Sequence, residues 1–146
     1  METEMELKIM VSDGMTAPSY AHAGDAGLDL RIREDVWIQP HQRVTVGTGV
    51  RVAIPNGYVG LCFPRSGLAS KLGISLSNCV GVIDSGYRGE IGATLINNDK
   101  SPHLLHAGER VCQLVIVPFA TCELNVVNEL DDTDRGANGF GSSGTL

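Results

Sequence analysis

Five short segments bring together residue types that can do chemistry. In Pro64-Arg65-Ser66-Gly67 an arginine, a hydroxyl and a glycine stand at the entry of a short helical stretch. Exposed N–H groups, a hydroxyl and a bidentate guanidinium can hold an anion there, although the same residues also suit an ordinary capped turn with a surface arginine. In Gly81-Val82-Ile83-Asp84-Ser85-Gly86-Tyr87-Arg88-Gly89-Glu90 an apolar strand ends on Asp84. A carboxylate in that place can take a proton from water, or it can simply open the turn. Arg88 and Glu90, two residues apart on one strand face, are expected to form an ion pair. Near the C-terminus, Arg135 precedes glycines 136, 139, 141 and 144, with Phe140, Ser142 and Ser143 among them. Amides, hydroxyls and a cation in a Gly-rich loop can close over a phosphate chain, whereas composition alone equally suits a flexible end. Phe140 has nothing local to pack on, which points to a ligand or another subunit. In Gly24-Asp25-Ala26-Gly27-Leu28-Asp29-Leu30 two acids flank a turn that enters a strand. Gln113 is a lone amide in the apolar run Val111–Leu114 and needs a hydrogen-bond partner, either backbone or ligand.

The elements that must position these groups are mostly short strands. Apolar alternation or β-branched runs occur at 7–11, 28–32, 36–38, 43–54, 58–63, 81–83, 91–97, 110–119 and 123–127. Val44, Val46, Val50, Val52 and Ile54 fall on even positions, and Gly47 and Gly49 interrupt them, which signals a bulge or bend. Pro55-Asn56-Gly57 reads as a hairpin turn. Only Ser66–Leu72 reads as helical, with Ser66 as a possible N-cap. The chain therefore reads as all-β with one short helix: a barrel, sandwich or jelly roll. Beyond Val127 the composition turns acidic and then Gly/Ser-rich, which reads as a mobile tail. No internal repeat is found.

At 146 residues the chain is one domain in size. Eleven Lys+Arg against 17 Asp+Glu give a formal charge of −6, so no broad basic face awaits nucleic acid, and an anionic ligand must be held by a local arrangement. No apolar run approaches the ~20 residues of a membrane span, and the acidic start lacks the layout of a signal peptide. Cys62, Cys79, Cys112 and Cys122 include no CxxC pair, which argues against zinc; the first three lie in apolar stretches and read as reduced, buried thiols of a cytoplasmic protein. His22, His41, His103 and His106 receive no role, and His103–His106 falls in a polar loop.

Taken together and in order, the five segments resemble the five motifs of the homotrimeric dUTP pyrophosphatases (dUTPases). Ala26–Leu30 matches the first motif, Pro64–Ala69 the second, Asn78–Glu90 the third, Gly108–Ile116 the fourth and Arg135–Gly144 the fifth. Any one motif is weak, but five in order across residues 20–144 are specific. The resemblance implies a jelly-roll-like β barrel of the β-clip type over residues 1–130. It implies a flexible arm over 131–146 that closes a site on a neighbouring subunit. It also implies a homotrimer whose sites are each built from several chains.

The residue roles are likewise what the resemblance implies. Asp84 would orient and deprotonate the water that attacks the α-phosphorus of dUTP, giving dUMP and pyrophosphate, which limits uracil incorporation into DNA and supplies dUMP for thymidylate synthesis. Ser66, Gly67 and Gln113 would hold the α- and β-phosphates, with Arg65 close to both phosphate and the catalytic carboxylate. Arg135, Gly141, Ser142 and Ser143 would wrap the γ-phosphate. Tyr87 would lie flat on the deoxyribose and leave no room for a 2′-hydroxyl. Backbone at Asn78, Val82, Ile83 and Asp84 would pair with the uracil edge, and Phe140 would stack on the ring. Mg²⁺ would be bound mainly by the substrate phosphates, with Asp29 reaching it through water. The expected partners are dUTP and two further copies of the chain, with no nucleic acid and no membrane.

Two other readings stand beside this one. The related dCTP deaminases share the fold but need a glutamate in the strand after the third motif, and Ile91–Asn97 contains no acid. A non-catalytic nucleotide sensor of the same fold would need neither Asp84 nor the closing tail, and both are intact here. Departures from the family pattern are slight: Ser85-Gly86 follows the aspartate, and Ser142-Ser143 stands where Ser-Thr is frequent.

Overall fold

Among the described residues, alternating burial sorts eleven short strands into four sheets around one core. The computed structural model describes residues 4–146, so the first three positions of the expected 1–130 domain lie outside the described residues. In chain order the elements are β1 (Lys8–Val11), β2 (Leu28–Arg31), β3 (Val36–Ile38), β4 (Arg43–Gly47), β5 (Val50–Ala53) and β6 (Tyr58–Pro64). Helix α1 (Ser66–Leu72) follows, then β7 (Ile74–Leu76), β8 (Gly81–Ile83), β9 (Gly92–Asn97), β10 (His103–Leu105) and β11 (Arg110–Pro118). The sheets run β1-β5, β3-β10, β4-β9-β7 and β2-β11-β6-β8, and every pair is antiparallel. Leu30, Ile32, Ile38, Ile74, Leu95, Leu105 and Leu114, drawn from all but the β1-β5 sheet, are almost fully buried, and Val50 and Val52 of β5 join the same core. The architecture is the expected jelly-roll-like β fold. Its sheets pack on a common core, and among the described residues none closes into a continuous hydrogen-bonded cylinder.

The run 43–54 shows how sequence dictates the break. Its even-numbered side chains do face inward, but β4 pairs with β9 whereas β5 pairs with β1. The chain changes sheet across Thr48-Gly49, where Gly49 takes φ +70, a conformation that only glycine adopts cheaply. Buried Thr48 fixes the corner: its Oγ1 donates to the Ile91 carbonyl at 2.6 Å.

Several sequence expectations change. Pro55-Asn56-Gly57 is a turn, with the Tyr58 N–H donating to the Pro55 carbonyl at 3.2 Å, but it does not close a hairpin, because β5 and β6 lie in different sheets. The N-cap of α1 is Arg65, in extended conformation and without a side-chain cap, so Ser66 is the first helical residue. Strands β7 and β10 are additions to the expected set, formed by pairing with β9 and β3, and β10 carries His103 out of its supposed loop. No strand forms at 123–127 among the described residues. Every residue from Pro118 to Leu146 is exposed, and beyond β11 no apolar side chain of the stretch joins a sheet.

Candidate active site

Three elements converge on a cavity of about 360 Å³. Asp29 on β2 stands directly opposite Gln113 on β11, and Gln113 in turn stands opposite Phe63 on β6. Side chains opposed across a sheet share a face, so Asp29 and Gln113 arrive together beside the point where β6 gives way to α1. The Gln113 amide donates one hydrogen to the Pro64 carbonyl at 3.1 Å, which answers its need for a partner and leaves the second N–H free. Gly27 makes this possible, because a Cβ there would collide with the Gln113 amide oxygen. Arg65, carried just past β6, donates from Nε to Asp29 Oδ1 at 3.1 Å, while Arg110 Nε approaches Asp29 Oδ2 at 3.4 Å. With 22% of its side chain exposed, Asp29 is held between two guanidiniums.

Ser66 and Gly67 complete the wall. As the opening residues of α1 their N–H groups have no acceptor within the helix. The cavity therefore presents peptide N–H groups, a hydroxyl, an amide N–H and the remaining guanidinium hydrogens. Such a surface accepts a multiply charged oxyanion, even on a protein of charge −6.

A second cluster lies elsewhere. Asp84 follows β8 at the free edge of the four-stranded sheet and is exposed. The Tyr87 N–H donates to the Asp84 carbonyl at 3.1 Å, which closes the turn, and Val82, Asn78 and Tyr87 are also exposed, while Ile83 points into the core. The expected Arg88–Glu90 ion pair does not form. Arg88 donates to the Ser85 and Tyr87 carbonyls, and Glu90 pairs with Arg33 at 3.0 Å, because the turn sends the two side chains different ways.

The two clusters are far apart within the chain. Ile83 pairs with Gly60, which sets Asp84 opposite Val59, six residues before Arg65 along β6. At ~3.3 Å per residue this is about 20 Å. The expectation that Arg65 lies close to the catalytic carboxylate therefore does not hold inside one chain, where its carboxylate partner is Asp29. The tail joins neither cluster. Arg135–Gly144 form consecutive turns, Arg135 Nε donates to the Asn138 carbonyl at 2.9 Å, and Phe140 is fully exposed.

Two of the cysteines behave as expected. Cys62 and Cys112 are buried, and the neighbouring Cys62 sulfur, with burial, pushes the Cys112 thiol far up, so it packs as a neutral group. Cys79 is exposed, because it sits at φ +65 in the turn before β8. Among the described residues no three His, Cys, Asp or Glu side chains form a metal cluster. No helix of the described residues is long and apolar enough to cross a membrane. Sequence reasoning missed Arg110 as the second cation on Asp29 and the Arg33–Glu90 pair. Both depend on strand register, and only the glycines at 47 and 49 hinted at the second.

A family model described as dUTPase matches residues 13–144. A deoxyuridine 5'-triphosphate nucleotidohydrolase of Cutibacterium acnes is 53% identical over 128 residues, covering 87% of this chain and 84% of its own. One from Nocardia farcinica is 51% identical over 132 residues, covering 90% and 80%. A mutant dUTPase of Staphylococcus bacteriophage 80alpha, solved with dUpNHpp, superposes with TM-score 0.90 at 32% identity over 96% of this chain and 99% of that one. A dUTPase mutant from phage phi11 of S. aureus, described with a coordinated structural Mg(II) ion, superposes with TM-score 0.80 at 31% identity, covering 88% and 100%.

Proposed function

The chain belongs to the dUTPase family and is a dUTP-hydrolysing enzyme, and we propose that it works through a site shared between copies of the chain. The observation that carries this reading is the separation just described. The donor-rich cavity of Asp29, Arg65, Ser66, Gly67 and Gln113 lies about 20 Å from Asp84 on one chain, too far for a single triphosphate to engage both ends productively. A neighbour's Asp84 turn set against this cavity completes the site, and closed rings are a common symmetric solution. The homotrimer is the form that joins them. The exposed 28-residue stretch after Pro118 is long enough to reach a further site and carry Phe140 and Arg135 to it.

In this arrangement Ser66, Gly67, Arg65 and the free N–H of Gln113 bind the α- and β-phosphates. Asp84 of the neighbouring copy accepts a proton from water as the water oxygen bonds to the α-phosphorus. The bond from that phosphorus to the oxygen bridging the β-phosphate breaks, and dUMP and pyrophosphate leave. Tyr87 lies against the deoxyribose, and backbone at Asn78 and Val82–Asp84 meets the uracil edge. Arg135, Gly141, Ser142 and Ser143 close on the γ-phosphate, with Phe140 over the base. The donor set fits an ion that arrives with the substrate: of the two carboxylates lining the cavity, Asp29 is committed to two arginines and Asp25 accepts the His22 N–H, so direct protein ligation is sparse. Mg²⁺ bound to the triphosphate supplies charge neutralisation of the phosphates. A cytoplasmic location accords with free thiols and a nucleotide substrate.

The test is pyrophosphate release measured across the deoxynucleoside triphosphates and UTP, with and without Mg²⁺. Release from dUTP alone, inhibited by EDTA, supports the reading. Ammonia release from dCTP, or nucleotide binding without pyrophosphate release, would favour the deaminase or the sensor.

A further inference from the structure

Glu90 lies outside both clusters, yet its contacts reach Tyr87. Its Oε1 accepts the Gly49 N–H at 2.9 Å and Arg33 Nη1 at 3.0 Å. Gly47 leaves the space for this carboxylate, since a Cβ there would come within 2.8 Å of Oε2. Around the same corner the Ile91 N–H donates to the Val50 carbonyl at 2.8 Å, and the Arg33 N–H donates to the Gly47 carbonyl at 3.1 Å. The backbone at 90–91 is thus fastened to the β4–β5 corner by side chain and main chain together. On its other side the Glu90 carbonyl accepts the Tyr87 hydroxyl at 2.9 Å. The ring lies across Gly89, where a Cβ would fall 2.6 Å from the ring carbon that bears the hydroxyl. Tyr87 is therefore fixed at its outer end by a carbonyl, whose position depends on the Glu90–Arg33–Gly49 node.

We propose that Glu90, held by Arg33 and the Gly49 amide, is a positioning residue for sugar selectivity: it sets the angle of the Tyr87 ring and thereby the exclusion of a 2′-hydroxyl. This rests on the reading of Tyr87 as the surface against the deoxyribose. A ring free to swing away admits the ribonucleotide, whereas a fixed one meets the extra oxygen as a clash. Glu90 touches no substrate and acts only through Tyr87.

The experiment is the ratio of kcat/KM for dUTP over UTP in Glu90→Ala, Glu90→Gln, Arg33→Ala and Tyr87→Phe. The fraction of folded enzyme cancels in this ratio, so a purely structural defect leaves it unmoved. Glu90→Ala and Tyr87→Phe are each expected to lower the ratio about tenfold, and Glu90→Gln, which keeps an acceptor for Gly49, by less. In the Tyr87→Phe background Glu90→Ala should add little, because both act on one hydrogen bond. Should Glu90→Ala fail to fold, Arg33→Ala takes its place and is expected to lower the ratio at least about twofold. An unchanged ratio in the Glu90 and Arg33 variants with a lowered one in Tyr87→Phe would overturn the positioning role alone. An unchanged ratio in Tyr87→Phe as well would overturn the hydroxyl tether and the proposal with it. Tyr87→Ala, which removes the ring, is expected to lower the ratio in any case, and an unchanged ratio there would overturn the sugar-contact reading.

Discussion

At the scale of single residues the proposed chemistry divides into groups that bind and one group that reacts. Asp84 is exposed and free of ion pairs among the described residues, so Asp84→Asn removes a proton acceptor without disturbing packing. Nucleotide affinity is expected to persist while turnover falls on the order of 10²–10⁴-fold, checked by isothermal titration with dUpNHpp and by pyrophosphate release. Gly27→Ala acts on binding. The new methyl displaces the Gln113 amide from Pro64, so KM for dUTP should rise several-fold while kcat changes less; an unaltered KM would mean Gln113 does not touch the phosphates. Residue types at these places were legible in the sequence, because an aspartate ending an apolar strand and an amide inside one are conspicuous. The double arginine hold on Asp29 was not. Arg110 reaches it only because a register shift between Arg110 and Cys112 turns the side chain back toward β2, and spacing carries no trace of that shift.

Among the elements, nine of the eleven strands among the described residues lie in apolar runs readable from the sequence, and the Gly47–Gly49 break announced the change of sheet. The three-residue strands β7 and β10 escaped because tertiary pairing, with β9 and β3, forms them. A polar joint holds the latter region. Fully buried Asn97 donates to the Ile38 and Ser101 carbonyls at 2.9 and 2.8 Å and accepts the Asp99 N–H at 2.9 Å. Asn97→Leu strands all three partners and should destabilise the fold by about 2–4 kcal/mol in denaturant titration. Nearby, the hydrogen bond from His103, helped by the Lys100 N–H, holds the Asp99 carboxyl below its ordinary range. Its contribution to stability is present above the ordinary carboxylate range and disappears as the pH falls through the lowered value. His103→Ala should return the Asp99 titration, followed by NMR, toward its usual position. The arm is a separate element energetically: deletion of 135–146 should abolish most catalysis and leave the thermal midpoint within a degree or two, since nothing there is buried.

For the whole molecule, the decisive feature is that the proposed binding groups and the proposed reacting group lie at opposite ends of one four-stranded sheet. The ordered motifs made the family legible, but no pattern along a chain reveals how far Arg65 stands from Asp84; strand order and register do. Light scattering should report three chains per particle, and a monomer would contradict the shared site. The sharper measurement co-expresses Arg65→Ala and Asp84→Asn chains, each inactive alone, with separate tags so that mixed particles can be isolated. If each site takes its arginine from one chain and its aspartate from another, every mixed trimer holds one intact site, about one third of the wild-type sites. Activity near that level is the expected result. Mixed particles as inactive as either parent would show that both groups serve the same site from a single chain, against the geometry of β6 and β8.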